Sequence, residues 1–363
     1  MCGARGWADA LANVVLFAPL GAALVAVGWS GGRPIRYGFA LSCAVELAQT
    51  VIPGRDPSLG DVCFNTLGTA IGQVAAHVVA RWATPDTRSA ARLSGAAALT
   101  GAAVFGLTGW LLSPALPVSA FRAWYTADRP DLEFYHGRVL STTLGSVPFG
   151  PADLPNPSEV RRLLLAGAPL RIRAIAGPRI RGLGPLFVIE DQWGDEVFLV
   201  GPDRDDLVLR YRTRATALRL DQPDLRLRQA FAGVAAGDTL HIVISREHDA
   251  YCLAANHARA CRLGFAVGSG WALLLYPRHF PPWLQHMLSA GWVAGLVLPV
   301  GFWARRRWET ALAGAMLLAG LALVPRVVGL IPTPFSLWLG AGAGCLLGAG
   351  LQWLVRHARP PAG

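Results

Sequence analysis

Seven polar residues interrupt the apolar start of this sequence, and their types suit proton transfer and anion binding. Asn13 opens N-V-V-L-F-A-P-L-G, Glu46 and Gln49 bound E-L-A-Q, and Arg55, Asp56, Asp61 and Asn65 follow in R-D-P-S-L-G-D-V-C-F-N. An ionised carboxylate deep in a membrane span costs about 2.5–3.5 kcal/mol, so such a residue usually marks function. Glu46 is the costliest of the set, and Arg55 is its expected charge partner. The Arg55 guanidinium suits an anionic group such as phosphate. Glu46 or Asp61 then serves as general acid or base, its pKa shifted by its surroundings. Asn13, Gln49, Asp56 and Asn65 are the expected binding residues. The competing reading is structural, with Glu46–Arg55 and Asp61–Asn65 tying helices together at a wet interface. The carboxylates could also hold a divalent ion through oxygen, but no His supports them, and neither a metal nor a cofactor is expected.

The elements that carry these residues are long and apolar. The chain has 363 residues, of which 53% are hydrophobic and only 15% charged; a soluble domain usually carries about 25% charge. Helices are expected over 9–28, 35–52, 62–80 and 93–112, then over 284–303, 310–328 and 335–355, each near the roughly 20 residues that cross a bilayer. The first could instead be a signal peptide, but related spans with matching polar residues follow at once. Gly340, Gly344 and Gly348 give the last helix a small-residue face for close packing.

The texture changes between 119 and 282. Leu170-Arg171-Ile172-Arg173, 207–212, 225–228 and 239–245 alternate apolar with polar, the mark of half-buried strands. Two strands meet at Gln192-Trp193-Gly194-Asp195 as a hairpin. Strands at roughly ten-residue spacing with turn signals between them argue a jelly-roll-type β-sandwich. The fold class is therefore a polytopic α-helical membrane protein of about seven spans with an inserted all-β domain. Its parts are a four-helix membrane domain over 1–113, the sandwich over 119–282 and three helices over 284–356.

Loop arginines set the orientation. All 33 basic residues are Arg, for a net charge of +10. Nucleic acid is not expected as a partner, because these arginines are spread through membrane loops and one domain. With seven spans, Arg33, Arg36, Arg81, Arg88, Arg92, Arg305, Arg306, Arg307, Arg356 and Arg359 share one side, against Arg5, Arg55 and Arg326 on the other. That places the C-terminus in the cytoplasm and the β domain outside, with all seven polar residues at the level of the outer leaflet. A turn at Asn256-His257 sets Cys252 opposite Cys261 at a non-hydrogen-bonded pair. There the α-carbons lie about 4.5 Å apart, within disulfide reach. A disulfide implies an oxidising compartment, in agreement with the arginines; the alternative is two free thiols in a cytosolic hairpin.

The order of these residues resembles the VanZ-like family of small polytopic membrane proteins. Its pattern of an Asn before F-x-P-x-G, a helix with E-x-x-Q, an R-x-x-D-x-x-D-type loop and N-T-x-G-x-x-x-G is met by Asn13, Phe17, Pro19, Gly21, Glu46, Gln49, Arg55, Asp56, Asp61, Asn65, Thr66, Gly68 and Gly72. The resemblance covers about the first 110 residues. The family often has another hydrophobic helix before the Asn, where this sequence has a short tail, so either that span is lacking or Met1 is not the start. The resemblance implies an envelope membrane protein, linked in the family's namesake to glycopeptide-antibiotic resistance. The β domain is similar, more weakly, to concanavalin-like and laminin-G-type jelly rolls over 185–200, 207–212 and 251–263. The acids around Glu190 and Glu196 invite comparison with jelly-roll glycosidases, but Gln192 stands where an acid is needed, so a solvated hairpin tip is expected. Trp193 and Tyr251 could stack on a sugar or simply pack, and His241, His248 and His257 form no ligand pattern.

The resulting expectation is a multi-pass cell-membrane protein with a membrane pocket for a lipid-linked or anionic envelope component and a glycan-binding-type β domain. Its partners are the bilayer and a lipid-linked precursor or cell-wall glycan. The alternative is a non-enzymatic adhesion or scaffold protein whose polar cluster is purely structural. A transporter is disfavoured, because midplane charges and an inverted repeat are both missing.

Overall fold

The computed structural model describes residues 6–50, 57–130, 132–220, 223–275 and 280–357. Four helices open the chain: α1 (Gly6–Ala26), α2 (Arg33–Gln49), α3 (Leu59–Ala83) and α4 (Thr87–Leu112). Strands β1 (Phe121–Tyr125), β2 (Arg138–Leu144) and β3 (Val147–Phe149) follow, then the short helix α5 (Pro157–Leu165). Next come β4 (Leu170–Ile175), β5 (Phe187–Asp191), β6 (Glu196–Asp203), β7 (Asp206–Tyr211) and β8 (Leu225–Leu227). The β domain closes with β9 (Thr239–Glu247), β10 (Ala250–Ala255), β11 (Ala258–Leu263) and a 3-10 helix over Val267–Leu273. Three long helices end the chain: α6 (Pro282–Trp303), α7 (Arg307–Val328) and α8 (Phe335–His357).

Six of the helices, all the long ones except α2, are long and apolar enough to cross a bilayer. The protein is a membrane protein. Helix α2 differs from the sequence expectation because it has 17 residues and carries Arg33, Arg36, Ser42, Glu46 and Gln49; residues 51 and 52, expected to extend it, lie outside the described residues.

Backbone contacts fix how α1, α2 and α3 run. A Cβ on Gly68 would lie 2.4 Å from the Val14 carbonyl oxygen, and one on Gly72 would lie 1.8 Å from that of Ala18. Both positions advance together, so α1 and α3 are parallel neighbours whose backbones touch. Helix α2 runs the other way along α3, because Glu46 meets Ser58, Ser42 meets Asn65 and Gly38 meets Thr69. Its buried residues Pro34, Gly38, Ser42 and Glu46 recur every four positions and form that face. At 1.5 Å per residue, its length is about 25 Å.

The same device recurs near the C-terminus. Gly340, Gly344 and Gly348 lie against the carbonyl oxygens of Ala290, Ala294 and Leu298, so α6 and α8 are also parallel, joined by the small-residue face expected from the sequence. Helix α4 packs chiefly with this group. Gly101 meets Leu317 and Gly109 meets Val324 on α7, while Ser94 Oγ donates to the Val300 carbonyl on α6. Trp303 Nε1 donates to the Trp82 carbonyl at 2.7 Å, bringing the ends of α3 and α6 together. Arg305 and Arg356 are in electrostatic contact at the same end. The start of α2 points the same way, since α2 runs antiparallel to α3 and Gln73 Nε2, about two and a half turns before Trp82, donates to the Gly31 carbonyl. The arginine-bearing ends of these helices therefore gather on one face.

The β domain stands at the opposite end. One sheet has the order β1-β5-β6-β7-β8 and the other β11-β10-β9-β4-β2-β3, antiparallel throughout. Strand β4 buries Leu170, Ile172 and Ala174 and exposes Arg171 and Arg173, and it pairs with Ile244, Ile242 and Leu240 of β9. Each fully buried apolar side chain of this kind contributes about 1.5–3 kcal/mol. A one-residue slip would turn the arginines inward, so the pattern fixes the register. The expected hairpin at Gln192–Asp195 joins β5 to β6, and Cys252 is disulfide-bonded to Cys261 across the β10–β11 hairpin. A bulge sits beside that bond, with Tyr251 pairing to Leu263.

The sandwich is docked on α4, α6, α7 and α8. In the 3-10 helix, Gly268 lies against Leu337 and Gly270 against Thr108 and Trp292, while Trp271 Nε1 donates to Ser289 Oγ at 2.9 Å. One hydrophobic core runs from the two sheets into these helices.

The α1–α3 contact yields a direct prediction. Gly72→Ala must push two backbones apart and lowers stability by about 1–3 kcal/mol. Gly95→Ala, whose Cβ meets nothing within 4 Å, leaves it within about 0.5 kcal/mol. Thermal unfolding in detergent micelles measures both.

Candidate functional site

The polar residues of the first three helices collect at the end away from the arginines, on the side of the β domain. Glu46 lies one turn before the end of α2 and is 7% exposed. Its Oε2 accepts the backbone N–H of Ser58, the residue that caps α3, at 2.6 Å. The start of a helix carries partial positive charge and unpaired N–H groups, so Glu46 occupies a place where a carboxylate is stabilised. Arg55, its expected partner, and Asp56 lie outside the described residues.

Asp61 sits in the first turn of α3, where the helix dipole again favours an acid. The Asn13 side chain of α1 hydrogen-bonds to it, and the carboxylates of Glu46 and Asp9 face it. Asn65, one turn further along α3, is buried; its Nδ2 donates to Ser42 Oγ at 2.8 Å. The Oδ1 of Asn65 is buried with no protein partner among the described residues. An unpaired buried acceptor costs about 1–3 kcal/mol, so this atom calls for a donor.

Of the expected site residues, Asn13, Glu46, Asp61 and Asn65 therefore converge. Gln49 ends α2 half-buried and makes no bond to them among the described residues. Asp9 was missed; it lies one turn before Asn13 on α1, an i, i+4 spacing that would have placed it on the same face. Three carboxylates, two amides and a hydroxyl thus meet, and none of the acids has an arginine partner among the described residues. Among those residues no group of three or more His, Cys, Asp or Glu is arranged to hold a metal ion.

The acids of the β5–β6 hairpin serve the sandwich. Asp191 Oδ1 accepts the backbone N–H groups of Trp193 and Asp195 at 3.0 Å, and its other oxygen accepts from Arg212 at 2.7 Å. Glu190 is held by Trp124 Nε1 and Arg129. Burial raises the Glu196 carboxyl above the usual range, against the pull of Arg210 and Arg129. Trp193 is exposed at the tip, whereas Tyr251 stacks inside on Tyr211 with ring centroids 5.1 Å apart. Burial pushes the Tyr251 hydroxyl up to about 12, so it is neutral at physiological pH.

Residues 3–80 match the VanZ/LLP1 family model. The match covers α1, α2 and nearly all of α3, and therefore every residue of the polar cluster. No curated protein and no solved structure matches the chain, and no family model supports the likeness of the sandwich to laminin-G-type domains.

The bond from Glu46 to Ser58 gives a second prediction. Glu46→Ala strips the Ser58 N–H of its acceptor and lowers stability by about 1–3 kcal/mol. Glu46→Gln keeps an acceptor oxygen and retains most of it. Thermal unfolding in detergent separates the two.

Proposed function

We propose that the α1–α3 end is a polar pocket at the outer leaflet that holds the head of a lipid-linked envelope component. The observation that carries this reading is the buried, unpaired Asn65 Oδ1 beside the carboxylates of Asp61, Glu46 and Asp9. These groups are acceptors, so they suit a head rich in donors, such as sugar hydroxyls. The anionic linkage of that lipid falls to Arg55, and Asp56 and Gln49 are the further binding residues of this reading. Glu46 or Asp61, lying among other acids, is the candidate acid or base if a bond is broken there. The VanZ/LLP1 match over these helices supports the VanZ-like membrane part of this reading; the envelope role and the link to glycopeptide tolerance belong to the proposal.

Seven crossings underlie the orientation. Parallel α1 and α3 require a return leg between them, and α2 is antiparallel to α3 and about as long as a thin hydrocarbon core. The arginine-bearing ends then face the cytoplasm, and the pocket and sandwich lie outside, where the Cys252–Cys261 bond is stable. The exposed sandwich is the module that meets cell-wall glycan.

A second reading is favoured by the Glu46–Ser58 and Asn65–Ser42 bonds themselves, which tie three helices together. Under it the cluster is structural and the protein is a membrane-anchored scaffold. Binding of a fluorescent polyprenyl-phosphate-linked sugar to the full chain in nanodiscs decides between them. The pocket reading expects binding, weakened tenfold or more by Glu46→Gln or Asp61→Asn at unchanged melting temperature. Equal binding by folded variants, or none by the unaltered chain, favours the scaffold.

A further inference from the structure

The two sheets of the sandwich carry charge differently. In the strands of the five-stranded sheet every arginine has an acid beside it: Arg122 lies 2.7 Å from Asp153, Arg210 3.7 Å from Glu196 and Arg226 2.7 Å from Asp203. The strands of the six-stranded sheet hold six arginines, and their one acid is Glu247 at the end of β9. Arg138, Arg171, Arg173 and Arg259 are exposed and make no ion pair among the described residues. A face of one sign repels itself, and an anionic partner relieves that repulsion.

Strand pairing sets these groups out as a flat array. Strand β4 buries Leu170, Ile172 and Ala174, so Arg171 and Arg173 point away from the core; β9 turns His241 and Val243 outward in the same way, and β10 turns Ala254 outward. In register, Thr143, Arg171, Val243, Ala254 and Arg259 form one row across five strands, and Ser141, Arg173 and His241 form the next. From strand geometry, Arg171 and Arg173 are about 7 Å apart and Arg171 and Arg259 about 14 Å. Only the short side chains of Val243 and Ala254 lie between the last two, so the row has a shallow floor. The aromatic residues of these strands, Phe149 and Tyr251, face inward against Phe187 and Tyr211. Neither a base nor a sugar ring therefore finds a stacking surface here.

The array is clear of the membrane helices. Arg246 Nη2 donates to the carbonyl of Gly329, which caps α7, at 3.2 Å, and Gly264 meets Ile331. These contacts fall at the end of β9 and just after β11. Val243 and His241 are three and five residues back along β9, about 10 and 17 Å from Arg246.

We propose that this face binds a linear phosphodiester polymer of the cell envelope, with its phosphates on Arg171, Arg173 and Arg259. Guanidinium groups meet phosphate oxygens two at a time, and a ring-poor backbone suits a face that offers charge without stacking. The inference rests on the reading of the sandwich as the module that meets cell-wall polymer, and it makes the anionic linkage, not the sugar, the group recognised.

The test measures fluorescence anisotropy of labelled poly(glycerol phosphate) with the full chain in phosphatidylcholine nanodiscs. Binding is expected, weakened tenfold or more by Arg171→Gln with Arg173→Gln at unchanged melting temperature. Arg171→Lys with Arg173→Lys keeps it within threefold. Arg88→Gln with Arg92→Gln, which removes the same charge at the other end of the molecule, leaves it within twofold. Equal binding by the folded double Gln variant, displacement by phosphatidylglycerol vesicles, or tighter binding of single-stranded DNA or polygalacturonate would overturn the proposal. Neutral cell-wall glycan bound equally by the chain and its Gln variant, with no binding of the phosphate polymer, would overturn this face and leave the sandwich a glycan module. Binding of neither polymer would count against both.

Discussion

Backbone-to-backbone contact between parallel helices is the constraint on which the rest of this structure depends. Lipid tails are as apolar as leucine, so helices in a bilayer gain little from hiding apolar side chains against each other and rely on close packing. At Gly68, Gly72 and Gly21 on one side of the molecule, and at Gly340, Gly344, Gly348 and Gly301 on the other, a single methyl group would collide with a neighbouring carbonyl. Two parallel pairs result, α1 with α3 and α6 with α8. Each pair must be joined by a helix running back, so this contact also sets the direction of α2 and α7.

From that arrangement the polar chemistry follows. Parallel α1 and α3, with α2 reversed, bring the start of α1, the end of α2 and the start of α3 to one level, where Asn13, Glu46 and Asp61 meet. Two of those places are favourable for an acid, because Glu46 and Asp61 both lie at the positive end of α3. The arginines are carried to the other end, beside Trp82, Trp303 and Arg356. The sandwich, seated through its 3-10 helix and Arg246, shares the acidic end. The molecule is thus polarised along the bilayer normal.

Much of this was legible because membranes penalise the wrong residue. Asn13, Glu46, Asp61 and Asn65 stood out as polar groups in apolar runs, and the every-fourth-residue glycines of α8 announced a contact face. The partner of that face was not legible, since nothing local in α8 points to Ala290, Ala294 and Leu298. The attachment of α4 to α6 and α7 was hidden for the same reason: Ser94 meets Val300 across 206 positions. The β10–β11 turn and its disulfide could be counted from Asn256 and His257, but the bulge beside it could not, because an added residue leaves no mark in the alternation. Asp9 escaped notice because it sits at a helix start, where an acid is ordinary. Helix α2 starts two residues before the expected 35, and its expected end at 51 and 52 lies outside the described residues.

The central claim is that the polar cluster and the sandwich share the outer side of the membrane, opposite the arginines. Single cysteines at Ser58, Asp205 and Thr87, in a chain whose unpaired cysteines are replaced by serine, test it in intact cells with a membrane-impermeant maleimide. Labelling at positions 58 and 205 but not at 87 is the predicted result. Labelling at 87 alone, or at only one of the first two, would contradict the account.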